Sequence, residues 1–360
     1  MAPGLSGVAS RFVGMNGSIS PVVSAQHDGA TEFVGRASAD TPAVTSAESS
    51  SWRVFCEDWD PSYGAPATFQ TDTSEDVEAV ETTPVAASQT PSRTVPLCFV
   101  DGRRRVELGL WAFENSTNQR VAGIAGCYSV GAVTVRQRLA ARFQGVRVGR
   151  VAVWGSGHTG DLVGRNGYRW VSYATAGTEH AELLAQLQNR MRRAEGELAV
   201  LAASLGWNVV LDGPLNHLRS LHELVCGYVK THHRQLLSDD EHQRIPLLEV
   251  GGRTRLYSLG ADRFTCYTRV GAPSTGATPW SGIVRLEFPA TAGLDAIAQR
   301  STYLASVLPQ FAGQTHRDPR APMNLAVVHN LERHLGQVMG RVEFATRAAR
   351  DAVLQQGALR

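Results

Sequence analysis

The sequence predicts an α/β fold in which a mixed sheet is flanked by helices, with additional strands and helices at the C-terminal end. Three observations carry this prediction. Apolar stretches of strand type fill residues 97–135, a long segment at 178–206 has apolar residues at helical spacing, and a short apolar strand follows at 207–213. With 43% hydrophobic and 19% charged residues in 360, the chain has enough apolar material for a large core.

The N-terminal quarter of the chain lacks these patterns. Residues 1–50 are rich in Ser, Ala, Gly, Thr and Val without periodicity, and we expect a disordered leader there. The aromatic residues of 51–66 are expected to be buried in a core, so one domain is predicted over 51–360. Within it, residues 73–94 are acidic and rich in Pro, Thr and Ser, which is typical of a surface loop.

The first strands are predicted around the stretch LCFVDGRRRVELGLW, residues 97–111. An Asp-Gly pair is a common hairpin turn, so strands are expected at 97–101 and 104–111. Residues 120–135 are typical of one or two further strands. Shorter strands are predicted at 149–155 and 169–175.

The long helix is predicted to start after Thr178, as its N-cap, and to end at Gly206. The strand 207–213 then carries a second Asp-Gly pair. Residues 221–233 read as a helix, or as a helix that runs into a strand.

The C-terminal part alternates like strands in three places and then becomes helical. The strands are predicted at 253–260, 263–270 and 282–289. Residues 316–356 are expected to form a loop followed by one or two helices.

Composition indicates which cellular compartment and which class of partner to expect. The five cysteines are widely spaced and contain no C-x-x-C pair, so we expect buried free thiols in the reducing cytoplasm. No apolar run is long enough for a membrane span. Residues 1–95 hold 4 arginines against 12 acidic residues, whereas 96–360 hold 31 basic against 21 acidic residues. Such a basic body suits a polyanionic partner such as nucleic acid.

Two apolar strands each deliver an aspartate, Asp101 and Asp212, and they flank the helix that carries Glu195 and Glu197. If the strands are neighbours, the carboxylates meet at one sheet edge, where they suit one or two divalent cations. This layout of Asp, Glu and Asp is the one used by RNase H-like nucleases. The alternative is that the aspartates are turn or cap residues and the glutamate lies on a solvated helix face.

Seven stretches, taken together, resemble the NurA nuclease family over roughly residues 52–345: FVDGRRRVELGLW, MRRAEGEL, VVLDGPL, GYVKTHH, YTRV, WSGIVRLEFP and HRDPRAPMNLAVVHNLERHL. The resemblance implies an RNase H-like fold and a Mn-dependent DNA nuclease, with Mg²⁺ as the alternative metal. It also implies a hexameric HerA ATPase as partner in resecting DNA ends, and it suggests a homodimer. The leader and the acidic insertion depart from the family and put the choice of partner in doubt.

The same resemblance assigns the site residue by residue. Glu197 is the rival of the helix glutamate, and Asp318 competes with the late histidine, which is a proton shuttle or a metal ligand in this reading. The implied residues are the metal ligands Asp101, Glu195 and Asp212, the active-site Tyr267, and His316.

Phosphate binding is predicted beside these carboxylates. Arginine grips phosphate through two donors, but alternation along a strand prevents Arg103, Arg104 and Arg105 from sharing one face. We expect Arg103 and Arg104 to supply one or two contacts, the rest being solubilising surface. Lys230, the only lysine of the chain, is a further candidate, with an ordinary surface lysine as its alternative.

The sequence therefore predicts a metal-dependent DNA nuclease, a 5′–3′ exonuclease or a single-strand endonuclease or both, that works with a HerA-like ATPase. Two alternatives stay open. One is a non-catalytic nucleic-acid-binding or scaffold protein of the same fold, and the other is an RNase H-like nuclease directed at RNA or hybrids.

Overall fold

The structure is a computed structural model that describes residues 70–71, 76–87, 95–113, 119–136, 139–218, 222–232 and 234–358. The chain divides into two units, 1–53 and 54–360, and the first lies wholly outside the described residues. The predicted leader 1–50 and the aromatic stretch 51–66 therefore lie outside them as well.

The described residues form twelve strands and five α-helices. The strands are β1 Gln70–Thr71, β2 Leu97–Phe113, β3 Arg120–Val135, β4 Arg142–Trp154, β5 Leu162–Val163, β6 Arg169–Ala174, β7 Asn208–Asp212, β8 Val225–Val229, β9 Arg234–Gln235, β10 Tyr257–Leu259, β11 Arg263–Arg269 and β12 Ile283–Pro289. The helices are α1 His180–Ser204, α2 Asp239–Arg244, α3 Leu294–Val307, α4 Ala326–Val338 and α5 Val342–Ala358.

Ten of these strands form one mixed sheet in the order β10-β11-β12-β8-β7-β2-β3-β4-β6-β5. The long strands β2, β3 and β4 are antiparallel neighbours, and β2 continues on its other side into parallel pairs with β7 and then β8. The C-terminal strands β10 to β12 extend the sheet by antiparallel pairing. The predicted α/β class, a mixed sheet flanked by helices with further strands and helices at the C-terminal end, is confirmed.

The predicted hairpin at Asp101-Gly102 is wrong. Strand β2 runs without a turn through both residues, which pair with Gly131 and Val130 of β3. The strand is held on its other edge by β7 up to Val100, so ladder pairing on two sides outweighs the local turn preference of Asp-Gly. Asp101 therefore lies inside a strand, next to the point where its parallel neighbour ends.

Side chains of β2 alternate between two helical layers, as the pleat of a strand requires. Cys98 and Val100 pack with α1, whereas Leu97 and Phe99 pack with α3 and α4. The alternation places Asp101 on the α4 side of the sheet and Gly102 on the α1 side. The two faces of the sheet thus meet different helices at the level of the candidate site.

Helix α1 confirms the predicted helix, although it starts one residue later than an N-cap at Thr178 predicts. Its N-cap is Glu179, which forms a capping box with Glu182. Gly206, with φ of +83°, ends the segment in the left-handed region that favours glycine. Strand β7 begins two residues further on, so the helix delivers the chain directly to the strand of Asp212.

The prediction of a helix within 221–233 is wrong for the described part of that segment, which contains strand β8. Gly227 allows the close pairing of β8 with β7, because a Cβ there would lie 2.9 Å from the Gly213 carbonyl oxygen. The predicted C-terminal helices are present as α4 and α5, and α3 was not predicted.

Residues 76–87, in the predicted acidic surface loop, are anchored by an ion pair. Both guanidinium nitrogens of the buried Arg253 bond the Glu81 carboxylate, at 2.6 and 2.9 Å. Isolated bridges from Ala79 and Val85 to Tyr257 and Arg253 fix the backbone beside it. Among the helices of the described residues, none has the length and apolar character to cross a bilayer.

Candidate active site

Asp101 and Asp212 lie side by side at the point where β7 ends. Val100 of β2 pairs with Leu211 of β7, and the next residue on each strand is an aspartate. Because β2 and β7 are parallel and both aspartates follow the same alternation, their side chains emerge on one face, the α4 face. The structure thus brings together two of the predicted site residues that are more than 100 positions apart in sequence.

Lys230 joins this pair from the end of β8. Its Nζ lies 2.9 Å from Oδ1 of Asp212, as an ion pair whose alignment falls short of a hydrogen bond to that oxygen. The same nitrogen donates a hydrogen bond of 2.9 Å to Oδ1 of Asn324. The lysine is largely buried, with 16% of its side chain exposed, so it is not an ordinary surface lysine.

The aspartate pair is electrostatically crowded. Burial raises the pKa of Asp101 well above its usual range, and the charge of Asp212 raises it further. Burial lowers the pKa of Lys230, but the charges of Asp212 and Asp101 outweigh burial and leave the pKa above its ordinary value. Oδ1 of Asp101 accepts the Gly102 backbone N–H at 2.8 Å, whereas Oδ2, also buried, has no hydrogen-bond partner in the described part of the chain.

Glu195 reaches the site from α1, on the other face of the sheet. A Cβ on Gly102 would lie 2.4 Å from Oε1 of Glu195, so the missing side chain of Gly102 makes room for this carboxylate against β2. Burial, and then the charge of Asp212, raise the pKa of Glu195 to about 8. Its sequence rival Glu197 is exposed and pairs with Arg193 at 3.2 Å, so of the two glutamates Glu195 is the one inside the site.

A polar network lies on the α4 side, and of its residues sequence analysis named only Asp318, as the competitor of His316. Asn324 donates from Nδ2 to Oδ2 of Asp318, and Nδ1 of His329 lies 3.0 Å from the same oxygen. Asp318 and Asn324 are both almost fully buried, at 3% and 0% exposed. Asn324 links this network directly to Lys230.

Glu332 of α4 is a further acidic residue of the site that the sequence did not indicate. Its charge raises the pKa of both Asp101 and Lys230. Both of its carboxylate oxygens are bonded by Arg320, which also lies 3.5 Å from Asp318. Helical spacing on α4 places Glu332 three residues after His329, on the face that meets the sheet.

The three consecutive arginines separate between the two faces, as alternation predicts. Arg103 is exposed on the side of Asp101 and donates to the Glu332 carbonyl oxygen at 3.4 Å. Arg104 lies on the opposite face, where it bonds Gln188 of α1. Arg105 bonds the carbonyl oxygens of Met339 and Gly340 after α4, so it fastens the helix end and is committed to structure.

Two predicted residues lie away from the carboxylates. Tyr267 of β11 is buried in a cluster with Ile245 and Ile283, and its ring contacts those of His232 and Trp280. His316 is exposed in the turns before α4. Of the two late candidates, it is Asp318 that the hydrogen-bond network connects to Lys230 and the aspartate pair.

The donor chemistry at the aspartate pair fits a divalent cation. Carboxylate oxygens are the ligands that Mg²⁺ and Mn²⁺ prefer, and the unpartnered Oδ2 of Asp101 is an acceptor that a cation would satisfy. In the described residues, however, no group of three or more His, Cys, Asp or Glu side chains is arranged to hold a metal ion. The reason is visible in the fold: Glu195 comes from the opposite face, and Lys230 lies against Asp212.

Comparison with known proteins adds a fold likeness only. No family model and no curated protein matches the chain. The crystal structure of the NurA nuclease from Sulfolobus solfataricus is similar in structure, with a TM-score of 0.39 and 10% sequence identity. The match covers 72% of this chain and 86% of that chain, and at this level of similarity it carries no conclusion about activity.

Proposed function

We propose that this protein is a divalent-metal-dependent phosphodiesterase that cleaves DNA. The observation that carries the proposal is the pairing of Asp101 with Asp212 on one sheet face, where Asp101 is buried with an unpartnered carboxylate oxygen and Asp212 is partly exposed. Buried like charges of this kind are costly unless they bind protons or cations. A purely structural role for both residues would call for hydrogen-bond partners that Asp101 Oδ2 lacks in the described chain.

Asp101 and Asp212 are the residues that would hold the cation, with Glu195 as the third candidate. A bound Mn²⁺ or Mg²⁺ supplies charge for the scissile phosphate and a water of lowered pKa. The chain itself provides the setting: β2 and β7 fix the aspartates rigidly, Lys230 offsets part of their charge, and Arg103 lies exposed on the same face. Arg103 and Lys230 are the phosphate contacts in this proposal, since guanidinium and ammonium groups bind phosphate oxygens.

The finer parts of the proposal concern the substrate and the partners. We take linear and single-stranded DNA as substrates, cut by 5′–3′ exonuclease or single-strand endonuclease action, with a HerA-like ATPase as the partner and a homodimer as the assembly. The motifs in the sequence support these parts. The four described cysteines are buried free thiols, which supports a reducing compartment such as the cytoplasm.

The test is a nuclease assay with Mn²⁺ or Mg²⁺ on linear duplex DNA, single-stranded DNA, RNA and a DNA–RNA hybrid. Asp101→Asn and Asp212→Asn keep the side-chain shape and remove the charge, and each should lower the rate by at least about 100-fold. Glu195→Gln is compared with Glu197→Gln, whose carboxylate is exposed, and only the first should lose activity.

Calorimetric titration with Mn²⁺ measures the affinity of the cation site independently of cleavage. If both aspartate variants cleave at the wild-type rate, the catalytic assignment is refuted. Binding of DNA without cleavage of any substrate would favour the non-catalytic alternative, and cleavage of RNA or the hybrid in preference to DNA would favour the RNase H-like one.

A further inference from the structure

We propose that Asn324 is a positioning residue that holds the Lys230 ammonium against the Asp101–Asp212 pair, where it meets a phosphate oxygen of the substrate. Asn324 belongs to the segment before α4, 94 residues after Lys230, and it is fully buried. The phosphate in this inference rests on the proposed function, whereas the positioning itself does not. The role of Asn324 depends on which end of its amide faces the lysine.

The amide has one possible orientation in this network. A carboxylate only accepts hydrogen bonds and an ammonium only donates them. The Nδ2 group of Asn324 therefore faces Asp318, and Oδ1 is left to accept from Lys230 at 2.9 Å. An asparagine between an anion and a cation is thus fixed at both ends.

Asp318 is held firmly enough to act as the anchor. Its Oδ1 accepts the Arg320 backbone N–H at 2.9 Å, and its Oδ2 receives both Asn324 and His329. Burial raises the pKa of Asp318, but the hydrogen bonds from Arg320 and Asn324 outweigh it and leave the pKa below its ordinary value. The anchor is therefore a carboxylate at neutral pH, as the amide orientation requires.

The backbone of the segment is tied to the same strand that carries the lysine. Tyr228 of β8 donates its hydroxyl hydrogen to the Met323 carbonyl oxygen at 2.7 Å. Lys230 lies two residues further along, on the same face of the sheet as Tyr228. Asn324 and Lys230 thus have a fixed separation, which a flexible four-carbon side chain alone would not provide.

The ammonium keeps one donor for a ligand. The ion pair with Asp212 and the hydrogen bond to Asn324 engage the ammonium on two sides, and within the described chain no third partner is present for its three N–H groups. The partly exposed lysine can offer that third donor to a group that approaches the aspartate pair. A phosphodiester oxygen is the ligand class that matches a lone ammonium donor beside a cation site.

The first test uses the fact that Lys230 is the only lysine of the chain. A succinimidyl ester modifies lysine amines, and mass spectrometry of the peptide that contains Lys230 gives its rate of modification. Asn324→Leu, which has similar size but no hydrogen-bonding group, should raise this rate several-fold because the amine is no longer held. Ser301→Ala, a buried polar change on α3 away from Lys230, serves as the matched control and should leave the rate unchanged.

The second test separates positioning from general stability by exchanging the two partners. Asn324→Asp places two carboxylates face to face and should lower kcat by about 10- to 100-fold, the range expected for a misplaced catalytic group. The double variant Asp318→Asn/Asn324→Asp restores a donor opposite an acceptor and keeps an oxygen facing Lys230. It should recover most of the lost activity and the wild-type rate of lysine modification.

The outcomes are distinguishable. If Asn324→Leu does not fold, as judged by circular dichroism, the exchanged pair decides the question. A modification rate in Asn324→Leu equal to that of wild type, or no recovery in a folded double variant, would overturn the positioning role. Wild-type protein that cleaves no nucleic acid would overturn the proposed function, while the lysine modification rates would still decide the role of Asn324.

Discussion

Replacing Gly102 by alanine tests whether Glu195 acts at the site from the α1 face. A Cβ at this position would lie 2.4 Å from Glu195 Oε1 and 2.8 Å from Met191 Cγ. Ordinary contacts between carbon atoms are about 3.5–4.0 Å, so both buried side chains must retreat by about 1 Å. Overpacking of this kind costs about 1–3 kcal/mol, and the loss of glycine flexibility in a strand returns about 0.5–1 kcal/mol.

We therefore expect Gly102→Ala to lower the free energy of unfolding by about 1–2 kcal/mol and to lower the nuclease rate about 100-fold, since the Glu195 carboxylate is displaced. Urea denaturation and the Mn²⁺-dependent assay measure the two effects. Gly109→Ala is the matched control on the same strand, because a Cβ there meets nothing within 4 Å. A Gly102→Ala enzyme with wild-type rate, together with an inactive Glu195→Gln enzyme, would refute this account of how Glu195 reaches the site.

Two further predictions concern buried charge. The pKa of Glu195 is about 8 in the folded chain, above the ordinary value of 4.5. With metal ions removed by a chelator, protonated Glu195 therefore makes its full contribution to the free energy of unfolding below about pH 4.5. This stabilisation is lost as pH rises towards 8, by up to about 1.4 kcal/mol per pH unit, and urea denaturation of Glu195→Gln across this range should show a flatter profile than wild type. If the free energy of unfolding changes equally with pH in wild type and in Glu195→Gln, Glu195 is not the group that titrates. Separately, Glu81→Gln leaves buried Arg253 without its carboxylate and should cost about 3 kcal/mol by the same measurement, whereas Glu343→Gln at the exposed pair with Arg341 should change nothing measurable.

The convergence of Asp101 and Asp212 could be predicted because it follows from strand pattern and chain order. Apolar residues precede each aspartate, and one long helix separates the two strands, which is the connection that parallel neighbours need. The hairpin at Asp101-Gly102 could not be excluded from the sequence, since the turn preference is local. The pairing with β3 and β7 that overrides it involves residues 30 to more than 100 positions away.

The α4 half of the site shows the same limit more strongly. Lys230 was singled out as the only lysine, but nothing near it in sequence indicates Asn324 or Asp318 as its partners. These contacts arise because α4 packs on the sheet face where β8 ends. In the same way, the choice between Glu195 and Glu197 depended on which face of α1 meets Gly102, and that required the register of β2 against α1.

The charge balance connects the site to its chemistry. If Asp101, Asp212 and Glu195 are all ionised, Lys230 offsets one of the three charges, and Arg192 lowers the pKa of Glu195 and so offsets part of another, whereas Glu332 is already paired with Arg320. Burial, and after it the charge of Asp212, raise the pKa of both Asp101 and Glu195. A phosphodiester would bring a further negative charge to this face, where Arg103 is exposed and Lys230 is partly exposed. Under the proposed function the carboxylates oppose an anionic substrate unless a cation joins them, so metal binding and DNA binding would be parts of one equilibrium.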